Sequence, residues 1–482
     1  MNNKSLNKVA LNGMSWNLFS RIFSNGSQLL IYFVLARLLN PTDFGVIAIV
    51  LVFINISNIF SIAGLGAAII QNEEHDKEKF DTIYFTSTSL GILTCIFLYF
   101  SAPFIAKFYK SDADLVFLIR ISSPIVIFNS INSIQTSILQ RELNFKIMFY
   151  VTSIPNFIAG LAAVVLAYFG LGVYSLLLNN LIGTLISIIV CFMFFVQIPS
   201  FTFNIKHSVS SLNYSYKILV TALLDEVSKS FFTLSIGKYY PNNVLGNYNI
   251  GRQIPGFASS TLNATIASVF FPFYAKRKSE SLDNFLIYRK VIRILNFIIF
   301  PFISIVYLIS KDFVIYFFTE KWVGCIYFLN MFSIILGIYH LHTKITYYIN
   351  AIGRSDVTLK YEFIKKIIGV LVLIVTLSMG IKEIVFGQLI VAIVSIILMA
   401  FPTKKYLNIK FIDQCKDIFP SLILNFILFL IVNYISGYIN IGNLSLLIYP
   451  IIYLTLYLLI AFLLKMSALK DLISVKEHLN FK

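Results

Sequence analysis

The chain has 482 residues, of which 58% are hydrophobic and only 12% charged, with a mean hydropathy of +0.83. Soluble domains carry about 25% charged residues and at most about half apolar ones, so a soluble globular protein is excluded. The net charge of +16 arises from 38 basic and 22 acidic residues, and its cause lies in where those residues sit.

A spanning helix needs about 20 apolar residues; fourteen would take about 280 and leave about 13 for each loop or tail, so no separate soluble domain fits. Apolar runs broken by polar, Pro or Gly punctuation predict spans over 15–37, 44–70, 82–104, 114–138, 147–169, 172–196 and 212–237. They continue over 244–273, 291–310, 323–350, 363–379, 383–402, 418–436 and 444–464. The expected fold is an all-α polytopic membrane protein. The segment after MNNKSLNKVALNGMSW is read as an uncleaved first helix, because no small-residue cleavage site follows it.

With the N-terminus cytoplasmic, the inward loops and tails hold 26 Lys and Arg and the outward ones 7. That bias fits the positive-inside rule and predicts both termini on the cytoplasmic side. The basic excess is therefore mostly a topology signal, and no soluble basic face remains for nucleic acid. Cys95, Cys191, Cys325 and Cys415 have no metal-ligand spacing and suggest no disulfide framework. No Walker A, HExxH or GxSxG pattern occurs, and the outward loops are short. Neither an enzyme nor a bound cofactor or metal is expected.

An internal repeat is legible. LARLLNPTDFG (35–45) and IGKYYPNNVLG (236–246) align at an offset of 201, with Arg37 on Lys238 and Gly45 on Gly246. LQRELNFK (139–146) echoes AIGRSDVTLK (351–360), and Gly170 echoes Gly380. Each half then holds six helices, an even number, so the pseudo-repeats run parallel around a central cavity. The expected organisation is an N-terminal lobe (1–200), a C-terminal lobe (201–405), and two further helices with a tail (406–482).

Ionisable side chains within spans are costly, so they usually face a cavity or a partner. Here they are Arg21, Arg120, Asp225, Glu226, Lys229, Arg252 and Lys344. In the first span Asn17, Arg21, Ser24, Asn25, Gln28 and Tyr32 share one helical face. The repeat offset carries Ser24, Asn25 and Gln28 onto Asp225, Glu226 and Lys229 in the seventh span. Two such stripes describe a hydrated cavity wall. The carboxylates could bind a coupling cation, although the trio could also be a self-neutralising set at helical spacing. Arg252 lies on a second polar face with Asn263, and Lys344 on a third with Ser333 and His340. His340 and His342 point two ways around a helix and are read as core histidines. Arg120 is read as snorkelling, and Arg37 and Lys238 as complements to helix C-termini.

LARLLNPTDFGVIA (35–48), GLGAAIIQ (64–71), LQRELNFK, IGKYYPNNVLGNYNIGRQIPG (236–256), VFFPFYAK (269–276) and AIGRSD (351–356) stand in an order that resembles a known family. It is the polysaccharide-export branch of the multidrug/oligosaccharidyl-lipid/polysaccharide superfamily, and in particular its Wzx-like and teichuronic-acid-type flippases. The resemblance implies a MATE-like, two-lobed, V-shaped transporter with fourteen helices. It also implies a substrate, undecaprenyl-diphosphate-linked oligosaccharide, moved from the inner to the outer leaflet of a bacterial cytoplasmic membrane. Membrane lipids, a polysaccharide polymerase and a chain-length regulator are the implied partners. Related flippases use cationic cavity residues in their first and eighth helices, which here hold Arg21 and Arg252. The expected substrate-binding set is thus Arg21, Asn25, Gln28, Arg252 and Lys344, with Asp225, Glu226 and Lys229 as the coupling set. The alternative is a cation-coupled drug antiporter of the same fold, which would favour an acidic cavity over this net basic one.

Overall fold

The computed structural model describes residues 3–62, 64–66, 69, 77–109, 113–194, 200, 203–276, 281–351, 354–407, 409–438 and 442–480. Among them there is no strand. In chain order the helices are α1 (Asn3–Leu38), α2 (Pro41–Ile62), α3 (Lys77–Phe108), α4 (Ala113–Ser122), α5 (Pro124–Arg141), α6 (Phe145–Tyr168), α7 (Val173–Phe194) and α8 (Ile205–Tyr239). They continue as α9 (Asn242–Lys276), α10 (Ser281–Phe318), α11 (Cys325–Ala351), α12 (Ser355–Thr376), α13 (Ile381–Leu407), α14 (Phe411–Tyr438), α15 (Ser445–Leu463) and α16 (Ser467–Asn480).

Each predicted span falls on one of these helices, the second only as far as Ile62, with the rest of 44–70 partly outside the described residues, and the fourth on the α4–α5 pair, which breaks where Pro124 opens α5. The ends differ. Helix α1 reaches back to Asn3, α8 starts at Ile205 and α10 runs from Ser281 to Phe318. Hydropathy marks only the lipid-facing stretch, whereas the hydrogen-bond ladder continues into water at no cost to the backbone. Among the described residues, ten segments are long and apolar enough to cross a membrane. The long helices outside that set are α1, α8, α9 and α12. The first three carry polar residues singled out in the sequence.

The surface is inverted relative to a soluble protein. Phe97, Phe104 and Phe462 are 74%, 77% and 71% exposed, as expected of side chains that meet acyl chains. Small residues close the helix contacts. Ala159 and Ala163 are buried on α6, and a Cβ on Gly160 would collide with Ile31 of α1. Together these make a multi-pass membrane protein.

The chain forms two compact units, residues 1–249 and 250–482. Within the first unit, the NPTD segment shows why it starts a helix. Asn40 is the cap, Pro41 takes the first helical position, and the Asn40 backbone N–H donates to Asp43 Oδ2 at 2.9 Å. In the repeat, Asn243 Oδ1 accepts from the Val244 backbone N–H at 2.8 Å instead, so α9 begins without a carboxylate. The two helix starts touch reciprocally. A Cβ on Gly45 would fall on the Asn242 carbonyl, and one on Gly246 on the Pro41 carbonyl. These four positions are related by the same offset of 201 found in the sequence. Gly170 closes α6 at φ +83°, with the Leu171 N–H donating to Leu166 O at 3.2 Å. Gly380 follows α12 at φ +146°, so this echo shares the residue but not the turn.

In the second unit, polar bonds stitch α14, α15 and α16 to α10. Arg289 holds Asp417 through two bonds of 2.6 and 3.0 Å, and Arg293 bridges Asp417 and Asp471 at 3.1 and 2.7 Å. Farther along, Tyr453 donates to Asn425 Oδ1 at 2.6 Å, and Asn425 Nδ2 donates to Ser304 at 2.9 Å. The Ser445 hydroxyl donates to Asp312 at 2.5 Å.

Two outcomes follow from these contacts. Asp417→Asn leaves two guanidiniums facing a neutral amide. It should cost roughly 2–3 kcal/mol, below the 3–5 typical of a fully buried pair because both arginines are partly exposed; thermal unfolding in detergent would measure it. At the reciprocal crossing, cysteines replacing Pro41 and Asn242 should be joined by a short thiol cross-linker. Adding Gly45→Val should abolish the product, and retention of wild-type cross-linking would show the crossing to be looser than described.

Candidate functional site

The first unit contains an open cavity of about 310 Å³ built from five of its helices. Helix α1 is seated first. Ser20 and Ser24 both bond to Ser153 of α6 at 2.7 and 2.8 Å, and Gly160 lets Ile31 pack against the same helix. That seating turns Ser24, Ser27, Gln28 and Tyr32 toward the cavity. Opposite them, α2 supplies Asn55 and Asn58, α5 supplies Asn129 and α6 supplies Asn156. Helix α7 adds Asn179, Asn180 and Thr184. Ile31, Leu35, Leu51, Ile54 and Ile125 make up the apolar part of the wall.

Seven of the sixteen lining residues are amides, and none is charged. Some amides are consumed by the fold. Asn129 Nδ2 donates to Asn58 Oδ1 at 3.3 Å, and Asn180 Nδ2 donates to the Leu176 carbonyl at 3.1 Å. The side chains of Gln28, Asn55, Asn156 and Asn179 make no hydrogen bond among the described residues. Unpaired amides in a hydrocarbon environment cost several kcal/mol each, of order 2–7. The opening they line is therefore aqueous.

Of the expected binding residues, Gln28 lines the cavity. Asn25 is half-buried beside it but outside the lining, and Arg21 is exposed farther along the stripe. Arg252 is half-buried on α9 in the second unit. Lys344 belongs to α11, and its side chain lies outside the described residues. On α8, Asp225 and Glu226 are half-buried while Lys229 is exposed and makes no ion pair among the described residues. Glu226 accepts from the Ser230 hydroxyl at 3.3 Å. The trio is thus not the self-neutralising set that its spacing allows.

Arg120 packs its guanidinium over the Tyr99 ring at 4.8 Å, while its Nε is buried without a hydrogen-bond partner among the described residues. Lys238 sits over the Phe108 ring at 3.3 Å. Both contacts lend aromatic partners to cations at helix ends.

A second polar cluster went unread in the sequence. His342, on α11, lies 3.4 Å from Glu362 of α12 and is stacked on Tyr339. Lys365 pairs with Glu362 at 2.5 Å and donates to the Tyr339 hydroxyl at 2.8 Å. The histidine pair was read as core, and both rings are buried. The partners of His342 are on the next helix, beyond the reach of spacing within one span. Among the described residues no His, Cys, Asp and Glu group could hold a metal ion.

An all-helical multi-pass bundle with a water-facing amide cavity defines a membrane transporter rather than a structural membrane protein. Residues 34–327 match the model of a family described as polysaccharide biosynthesis protein, and the chain belongs to that family. It is 23% identical over 404 residues to the lipopolysaccharide biosynthesis protein WzxC of Escherichia coli (strain K12), covering 82% of this chain and 81% of that protein. It is also 23% identical to the teichuronic acid biosynthesis protein TuaB of Bacillus subtilis (strain 168), over 74% of each chain. Among solved structures, the lipid II flippase MurJ in an inward closed conformation superposes with a TM-score of 0.78, at 14% identity over 96% of this chain and 100% of that one. An inward-facing multidrug resistance MATE family transporter gives 0.63, at 15% identity over 81% and 99%. The fold is MATE-like.

The aqueous character of the cavity is directly testable. In a background without the four native cysteines, Asn156→Cys and Asn179→Cys should react with a charged methanethiosulfonate reagent. Leu161→Cys, on the exposed flank of α6 (49%) and outside the cavity, should not, because a thiol against lipid does not ionise. Equal reactivity at all three would remove the distinction between cavity and lipid face.

Proposed function

We propose that this protein is a lipid-linked oligosaccharide flippase. It moves undecaprenyl-diphosphate-linked repeat units from the inner to the outer leaflet of a bacterial cytoplasmic membrane by alternating access. The observation that carries this reading is an open, amide-lined cavity inside a membrane-spanning bundle, in a chain whose family is named for polysaccharide biosynthesis. The biosynthesis proteins WzxC and TuaB, which it resembles over most of their length, bear names from two different polymers. In this reading both termini are cytoplasmic, as the 26-to-7 distribution of Lys and Arg supports. Arg21, Arg252 and Lys344 serve the diphosphate, and Asp225, Glu226 and Lys229 serve coupling. A polymerase and a chain-length regulator act on the product.

The energetics suit export. With the cell interior negative, carrying about two negative charges outward is favourable by roughly 4–5 kcal/mol per 100 mV, so hydrolysis of a nucleotide is not required. A cation-coupled drug antiporter of the same fold would need acidic groups where the substrate sits, and the cavity lining holds none.

Deletion of the gene should leave lipid-linked units assembled but confined to the inner leaflet, with polymer lost from the cell surface. Leaflet-resolved labelling of the lipid-linked sugar measures this. Outward display at wild-type level, with no other flippase present, would overturn the reading. An antiporter would leave surface sugar intact and raise drug sensitivity on deletion.

A further inference from the structure

Sugar and diphosphate make opposite demands on a protein. A diphosphate needs cations or clustered backbone N–H groups. A sugar hydroxyl donates and accepts at once, as does a primary amide, which has two N–H donors and a carbonyl acceptor on one rigid plane. The cavity of the first unit meets the second demand and fails the first. It has no Lys or Arg in its lining, and Arg21 lies two helical turns, roughly 10 Å, from Gln28.

We infer that this cavity is a saccharide subsite, which takes a neutral sugar ring of the lipid-linked unit and leaves the diphosphate outside; the inference rests on the flippase reading. Gln28, Asn55, Asn156 and Asn179 come from four different helices and face one opening with their hydrogen bonds unspent. Between them they offer about eight N–H donors and four carbonyl oxygens. No described residue uses these groups, so the partner they call for is water or a ligand that replaces water.

Shape and composition narrow the ligand further. At about 310 Å³ the cavity stands at the low end of small-molecule sites, which gives room for about one or two pyranose rings and excludes a whole repeat unit. Tyr32, Ile31 and Leu35 line the same space and provide an apolar wall for the C–H face of a ring. A lipid tail has no use for the amides. A metal or alkali cation would find only neutral oxygens, with no carboxylate in the lining. A uronic acid would find no cation. The neutral polyhydroxylated ring is the chemistry that satisfies both halves of the wall.

The test compares two substrates in proteoliposomes: the lipid-linked unit accumulated by the deletion strain, and undecaprenyl diphosphate without sugar. Because Asn156 and Asn179 have no partner among the described residues, Asn156→Leu and Asn179→Leu strand no other group; thermal unfolding should confirm that both variants fold. Each should slow translocation of the sugar-bearing lipid about tenfold or more and leave that of the bare lipid unchanged. Equal slowing of both lipids, or no effect on either, would overturn the subsite. If the wild-type protein moves neither lipid, the flippase reading fails, and the subsite is judged by binding alone. Saturation-transfer NMR with methyl glucoside and methyl N-acetylglucosaminide should then show contact with the wild-type protein that both variants lose. No contact with the wild-type protein overturns the subsite. A sodium-dependent rise in unfolding temperature that both variants abolish, without sugar contact, would assign the cavity to a cation instead.

Discussion

Hydrocarbon offers no hydrogen bonds, so every polar group within a membrane bundle must find a partner in the protein or stand in water. Some polar groups are spent on one another, as in the second unit, where Arg289 and Arg293 hold Asp417, Asn425 holds Ser304 and Tyr453, and Lys365 holds Glu362 and Tyr339. In the first unit, four amides on four helices face a common opening with no hydrogen bond among the described residues. Paired groups fix helices in place. Unpaired groups keep a volume wet, and a wet volume inside a bilayer is what a carrier of hydrophilic cargo needs.

The charged groups and the neutral amides therefore do separate work. A carrier for a sugar attached to a diphosphate must accommodate two chemistries within one molecule, and placing cations among the sugar-binding amides would invite any anion into that space. The cavity lining excludes charge altogether. The polar stripe of α1 runs from the exposed Arg21 to Gln28 and Tyr32 at the cavity, so a single helix face carries both environments in sequence. The low apolar content that kept α1 and α8 out of the apolar spans has the same origin.

Much of the fold was legible because the membrane imposes a period and a length that hydropathy reads directly. Helix ends were less so, since α1, α8 and α10 extend past the apolar stretch that announces them. Of the cavity, the α1 stripe was visible as a helical face, and Ser24 and Gln28 stand where that face predicts. Asn55, Asn129, Asn156 and Asn179 were missed, because one asparagine in an apolar span carries no period. The available signal was their recurrence, one or more near the middle of each neighbouring span. The partners of His342, a buried histidine as its sequence suggests, escape notice for a different reason: Glu362 is brought close only by the packing of α11 on α12.

The reciprocal crossing of α2 and α9 has an electrical consequence. Gly45 rests on the Asn242 carbonyl and Gly246 on that of Pro41, so at these two positions the contact is made by backbone. Making or breaking it transfers no proton and displaces no counter-ion. Acidity and ionic strength therefore do not act on these two backbone contacts directly, and reach the crossing through side chains beside them, such as the Asp43 carboxylate that caps the start of α2.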